Sequence, residues 1–302
     1  MLTPFTMWLC TGTLIAALVV LGLGAAIRGR SRRRLAMTAL EAPEEMAPPP
    51  LPEEEKGVAS DFYRPFDLLV CTILLTLYLS TLIGGWMGNV GGEPVEIDRT
   101  DLVAGIVTQA FFTFMVVGAV IWRRNPVLWL GLRWPGADLR QWLIALVGIP
   151  AAVVATWMVA VVMHASGFLD YLTSLDGGGD GKQEVVKAFE TTQDPVNLFL
   201  LAFMASVVAP VTEEIIFRGY VYPVAKRYCG VVAAALGSSL LFALIHYNAV
   251  GLIPLAFLSI LMTVAYEKTR SIWMPIAIHM AFNSATVLAQ LGQRFGWWEV
   301  PQ

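Results

Sequence analysis

A chain of 302 residues with 57% hydrophobic and only 14% charged side chains, at a mean hydropathy of +0.65, has too few polar groups for a water-soluble fold of that size. A net charge of −3 gives no global basic field for nucleic acid, so charge informs only through where it sits along the chain. Cys10, Cys71 and Cys229 have no CxxC spacing, which argues against a disulfide framework and a thiolate metal site.

The first apolar run, about residues 5–27, is followed by Arg28, Arg30, Arg32, Arg33 and Arg34. A cleavable leader carries its positive charge ahead of the apolar stretch, so residues 1–34 read as a retained transmembrane anchor with a basic cytoplasmic flank. Residues 35–60 mix Pro43, Pro48, Pro49, Pro50 and Pro52 with glutamates such as Glu44, Glu45 and Glu53. Such a segment cannot bury a core and predicts an extended, disordered linker.

Residues 61–302 then form the membrane-embedded domain. Its apolar stretches, about 66–88, 102–122, 141–166, 196–225, 231–248, 249–266 and 272–292, bring the count to eight spans able to cross about 30 Å of hydrocarbon at 1.5 Å per residue. Arg123, Arg124, Arg133 and Arg140, then Lys226 with Arg227, then Lys268 with Arg270 fall on the inner side of such an arrangement. Glu93, Glu96, Asp98 and Asp101 fall on the outer side, as do the acidic residues from Asp170 to Asp194. Trp122, Trp129, Trp134, Trp142 and Trp273 are expected at the inner interface. Between spans, the run Gly177-Gly178-Gly179 precedes Val185, Val186 and Phe189, a short interfacial helix. The expected fold class is an all-α polytopic transmembrane bundle of about eight spans with an intramembrane active site, in a multi-pass integral membrane protein of a prokaryotic inner membrane.

An ionisable side chain at the centre of a membrane helix costs about 2.5–3.5 kcal/mol, so each one calls for an explanation. The last four spans carry them. In Pro210-Val-Thr-Glu213-Glu214-Ile-Ile-Phe-Arg218, Glu214 and Arg218 lie one turn apart and can pair, whereas Glu213 is rotated by about 100° and stays free. An unpaired carboxyl in a dry cavity suits a general base. Phe242-Ala-Leu-Ile-His246 and His279-Met-Ala-Phe-Asn283 come next in the chain, the latter with both polar groups on one face. With Lys226 and Ser271 as inner boundaries, Arg218, Glu214, Glu213, His279 and Asn283 all fall about 12–20 Å deep, and His246 deeper at about 24 Å. These residues are a sufficient kit for peptide-bond hydrolysis. Glu213 with His246 would activate water, and His279 with Asn283 would donate to the oxyanion. Alternatively, Glu213, His246 and His279 are a two-His, one-Glu ligand set for Zn²⁺ with a fourth position for water.

Glu213-Glu214-x-x-x-Arg218, Phe242-x-x-x-His246 and His279-x-x-x-Asn283, in that order on successive apolar helices, resemble the CPBP family of type II CAAX prenyl proteases and bacteriocin-processing proteins. The resemblance covers about residues 195–290. It implies an intramembrane endopeptidase fold with Glu213, His246, His279 and Asn283 catalytic and Glu214 and Arg218 supporting, working through a metal or through glutamate-activated water. The partners it implies are membrane lipid and a peptide or protein substrate, prenylated or of leader type.

Other readings compete. Arg218–Glu214 can be a purely structural pair. His164 reads as an interfacial or packing histidine. Ser239 and His246 lie about 10.5 Å apart along one helix, too far for a nucleophile and its base. A catalytically silent scaffold or immunity protein on the same fold has no need of Glu213. A proton-coupled transporter would use buried Glu and His as a relay, but no internal repeat accompanies them.

Overall fold

The computed structural model describes residues 4–41, 57–88, 98–132, 142–175, 184–246 and 248–297. Eleven helices and no strand occur among the described residues: α1 (Pro4–Glu41), α2 (Pro65–Gly88), α3 (Arg99–Ile121), the short α4 (Pro126–Trp129), α5 (Ile144–Ala165), α6 (Phe168–Leu175), α7 (Glu184–Thr191), α8 (Pro195–Cys229), α9 (Val231–Leu244), α10 (Leu252–Thr269) and α11 (Trp273–Arg294). Five are long and apolar enough to cross a membrane, namely α1 over Trp8–Arg34, α3, α5, α8 and α10. Pro65–Leu77 and Val231–Leu244 are shorter apolar helices. The chain is therefore an all-α, polytopic membrane protein. Phe114, Leu146 and Phe199 are exposed on the outside of the bundle, as expected where the solvent for that surface is hydrocarbon.

Local sequence explains the helix ends. Asp98 caps α3 by accepting from the Asp101 N–H, and the Asp101 carboxylate accepts from Asp98 N in return, a reciprocal capping box. Asp194 caps α8 through the Val196 N–H, with Pro195 in the first turn where its missing donor costs nothing. Arg270, left-handed at φ 55, ends α10.

The core of the bundle is α8, α9, α10 and α11. α3 packs on the middle of α8, α5 on α10 and α11, and α7 on the far end of α11. α1 packs along α9 and the end of α8. A Cβ on Gly24 would lie 2.3 Å from that of Ala233, and one on Gly237 would lie 2.5 Å from Leu21 Cγ. Only glycine lets these helices approach so closely, and the first span packs tightly on α9 and the end of α8.

Several expectations need correction. Of the linker expected over 35–60, residues 35–41 belong to α1, which continues to Glu41, and Val58 and Ser60 are buried. Its middle, residues 42–56, lies outside the described residues, as do Gly177–Gly179 and Trp134. Lys226 is not an exposed boundary residue. It is buried, with Nζ 2.9 Å from Glu267 Oε1 and 2.6 Å from the Val58 carbonyl. Trp129 is buried and hydrogen-bonded inside the protein, unlike Trp122, which is 91% exposed. The helix expected around Val185–Phe189 is α7, with Phe189 buried against the core and its carbonyl accepting from Arg294 Nη1 at 2.5 Å. His164 is exposed at the end of α5, and Ser239 is buried on α9.

Candidate active site

α8 is not a uniform helix. Two widened π turns, Met204–Val208 and Phe217–Val221, flank the α-helical stretch Ala209–Ile216 that carries Glu213 and Glu214. Such turns free backbone carbonyls and recur at functional sites.

The two glutamates diverge as their spacing predicts. Glu214 is fully buried, and its Oε1 accepts from Arg218 Nη1 and from His279 Nδ1, each at 2.9 Å. Arg218 is anchored again by α10, where Nη2 donates to the Ser259 hydroxyl at 2.8 Å and the Ser259 carbonyl at 3.0 Å. The guanidinium also lies over the Phe242 ring, 4.7 Å from its centroid. Phe242 in turn packs against both imidazoles, at 4.9 Å from His246 and 5.5 Å from His279.

Glu213 faces the other way. Its Oε2 is buried without a hydrogen-bond partner, 3.9 Å from His246 Nε2 and 4.0 Å from His279 Nε2. α9 ends at Leu244, and His246 lies in the turn beyond it, its Nδ1 2.8 Å from the Phe242 carbonyl. Each Nδ1 thus faces an oxygen acceptor, which leaves each Nε2 turned to the Glu213 side. Three polar atoms converge on one small region.

The structure brings His246 and His279 each within 4.0 Å of Glu213 and places Glu214, Arg218 and Phe242 directly behind them. Asn283, one turn along α11 from His279, donates Nδ2–H to the Ala205 carbonyl in the first π turn at 2.8 Å. Sequence reasoning missed Ser259, whose only signal is a small polar residue within an apolar span. It also missed Gln109 on α3, whose Oε1 accepts from Thr212 Oγ1 at 2.9 Å beside Glu213.

The donor chemistry of Glu213, His246 and His279 suits zinc, but the spacing does not. Tetrahedral ligands at about 2.0–2.1 Å from the ion stand about 3.3–3.4 Å from one another, less than the 3.9 and 4.0 Å separations here. Among the described residues no group of three His, Cys, Asp or Glu side chains is placed to hold a metal ion.

Comparison with known proteins agrees with the motif layout. Residues 195–285, which contain all three motifs, match the family model described as type II CAAX prenyl endopeptidase Rce1-like. Over 92 residues the chain is 30% identical to "Putative membrane peptidase YdiL" of Bacillus subtilis (strain 168), a match spanning 30% of this chain and only 38% of that protein. Over 232 residues it is 26% identical to "Membrane-embedded CAAX protease MroQ" of Staphylococcus aureus (strain USA300), 74% of this chain and 88% of the relative. No solved structure matches. The fold is that of a multi-pass integral membrane protein, and the proteins it is similar to are named as peptidases or proteases. Over residues 195–285 the chain is similar to the Rce1-like type II CAAX prenyl endopeptidases.

Proposed function

We propose that this chain is an intramembrane endopeptidase that hydrolyses a peptide bond in membrane-associated substrates, prenylated or of leader type, in a prokaryotic inner membrane. One observation carries the reading: a buried Glu213 Oε2 with no partner, facing the Nε2 atoms of two histidines. A buried carboxylate oxygen left without a donor is costly, and stability alone gives no reason to keep it. The separations let a water lie within hydrogen-bond reach of Glu213 and an imidazole together.

In this reading Glu213, aided by His246, takes a proton from that water as its oxygen attacks the scissile carbonyl. The layer holds two carboxylates against one guanidinium, so one further proton balances its charge. Resting on His279, that proton makes Nε2–H a donor to the tetrahedral oxyanion, with Glu214 stabilising the imidazolium through Nδ1. The Asn283 amide supplies a second donor. When the carbon–nitrogen bond breaks, the proton held by Glu213 passes to the leaving amine.

The test is cleavage of prenylated and leader-type peptides by purified protein in detergent, comparing wild type, Glu213→Gln and His279→Ala with and without a chelator. Cleavage by wild type alone, insensitive to chelator, is the expected result. Activity lost to chelator and restored by Zn²⁺ would overturn the metal-free mechanism. Full activity in Glu213→Gln would overturn the site, and a cellular phenotype rescued by Glu213→Gln would favour a silent scaffold.

A further inference from the structure

Two carbonyls of α8 lose their helical donors around a proline. In the first π turn the Ala209 N–H bonds Met204 O, and position 210, a proline, has no N–H to offer Ala205 O. Asn283 Nδ2 fills that place. In the second, the α-helical donor for Gly219 O would be the N–H of residue 223, which is again proline. Here the donors come from outside the motifs: the Tyr63 hydroxyl at 2.8 Å and Trp129 Nε1 at 2.7 Å, the two side chains also 2.9 Å apart. These carbonyls bracket the octet Ala209–Ile216 that bears both glutamates.

The turn that supplies Trp129 reaches further. Leu130 packs where Gly219 lacks a side chain, since a Cβ there would lie 2.7 Å from Leu130 Cδ2. The Leu130 carbonyl accepts from Ile272 N at 3.0 Å, and Leu132 O accepts from Trp273 Nε1 at 3.2 Å, both at the start of α11. One short turn therefore touches α8 next to Arg218 and α11 nearly two turns before His279.

We propose that Tyr63 and Trp129 are positioning residues: their donors replace the N–H that Pro223 lacks, and the turn that carries Trp129 sets the register of α8 against α11. The physical reason is rotational. Arg218 lies inside the second π turn, and a one-residue change from π to α winding rotates one side of α8 against the other by about 100°. Such a change is incompatible with Arg218 holding both Glu214 and Ser259, and so with the orientation that leaves Glu213 facing the histidines. Displacements of about 1 Å at a catalytic group cost up to about 10²-fold in rate.

The kinetic part of the test rests on the endopeptidase reading; the structural part does not. In full-length protein, Tyr63→Phe removes one donor and keeps the ring, and Trp129→Phe removes the other and keeps a smaller aromatic ring. The expected result is kcat lowered about tenfold with KM within about twofold, and faster amide hydrogen exchange confined to residues 217–222. Adding Pro223→Ala to Trp129→Phe restores a backbone donor for Gly219 O and returns kcat and exchange toward wild type. Wild-type kcat in both single variants, unchanged exchange at 217–222, or no suppression by Pro223→Ala overturns the proposal. Should Trp129→Phe fail to fold, Tyr63→Phe, which loses a single oxygen atom, carries the same test. If wild type cleaves no peptide in the panel, the endopeptidase reading fails on its own and the exchange measurements still decide the clamp.

Discussion

Two clusters of buried charge in this molecule differ in how completely they are satisfied. At the end of the bundle nearest Lys226, Asp67 receives Arg123 through both oxygens, at 2.8 and 2.5 Å, with Tyr220 Oη at 2.7 Å and Arg64 N at 2.6 Å. Glu267 there receives Lys226, the Tyr222 hydroxyl and the Val58 N–H, the latter two at 2.7 and 3.2 Å. Around Glu213 and Glu214, by contrast, one oxygen of each carboxylate has no partner. A saturated network is what structural polar burial looks like; the unsaturated one next to two imidazoles is the observation on which the proposed hydrolysis rests.

The comparison breaks most visibly at Glu213. Glu213→Gln should lower the cleavage rate by about 10²–10⁴-fold and leave the thermal midpoint unchanged or raised, because it removes a buried charge without removing a bond. A large loss of stability in circular-dichroism melts would place Glu213 in the structural class instead. Arg218→Met comes next. It strips Glu214 of its cation in a fully buried position, which should cost about 3–5 kcal/mol by denaturant unfolding and abolish activity as well. Asp67→Asn, in the satisfied cluster, should cost about 1–3 kcal/mol while turnover per folded molecule stays at the wild-type level; a matching fall in kcat would merge the two clusters into one functional unit.

The smallest effect belongs to Asp194, at the exposed start of α8. Its carboxyl is held below the ordinary aspartate range, first by the Val196 N–H and then by Arg99. A depressed folded-state value contributes stability that is present above the unfolded pKa and lost as pH falls through the folded one. Asp194→Ala should therefore flatten the acid limb of the melting profile slightly and leave activity untouched, as acid titration of melting in wild type and variant would show.

Much of the active layer was legible because helical spacing is local. Four residues set Glu214 against Arg218 and rotated Glu213 away, and the structure keeps both relations. Depth arithmetic placed His279 alongside them but put His246 too deep, since it assumed straight helices normal to the membrane. In the folded bundle His246 lies in the turn beyond the end of α9, within 3.9 Å of Glu213. The satisfied cluster was not legible at all. Asp67, Lys226 and Glu267 sit near the ends of spans, where a charge reads as an interfacial residue, and their side-chain partners lie 41 to 153 positions away.

The sequence by itself determined that the chain is helical, that it lives in lipid, and that the ionisable groups within its later spans fall in three short motifs, because hydropathy and i, i+4 spacing act within one helix. Tertiary structure alone decided which carboxylate oxygen is left without a partner, that Lys226 is buried rather than solvated, and that Tyr63 and Trp129 complete a helix broken by Pro223. Those outcomes depend on which side chains from distant helices reach a given buried atom, and no local pattern encodes that.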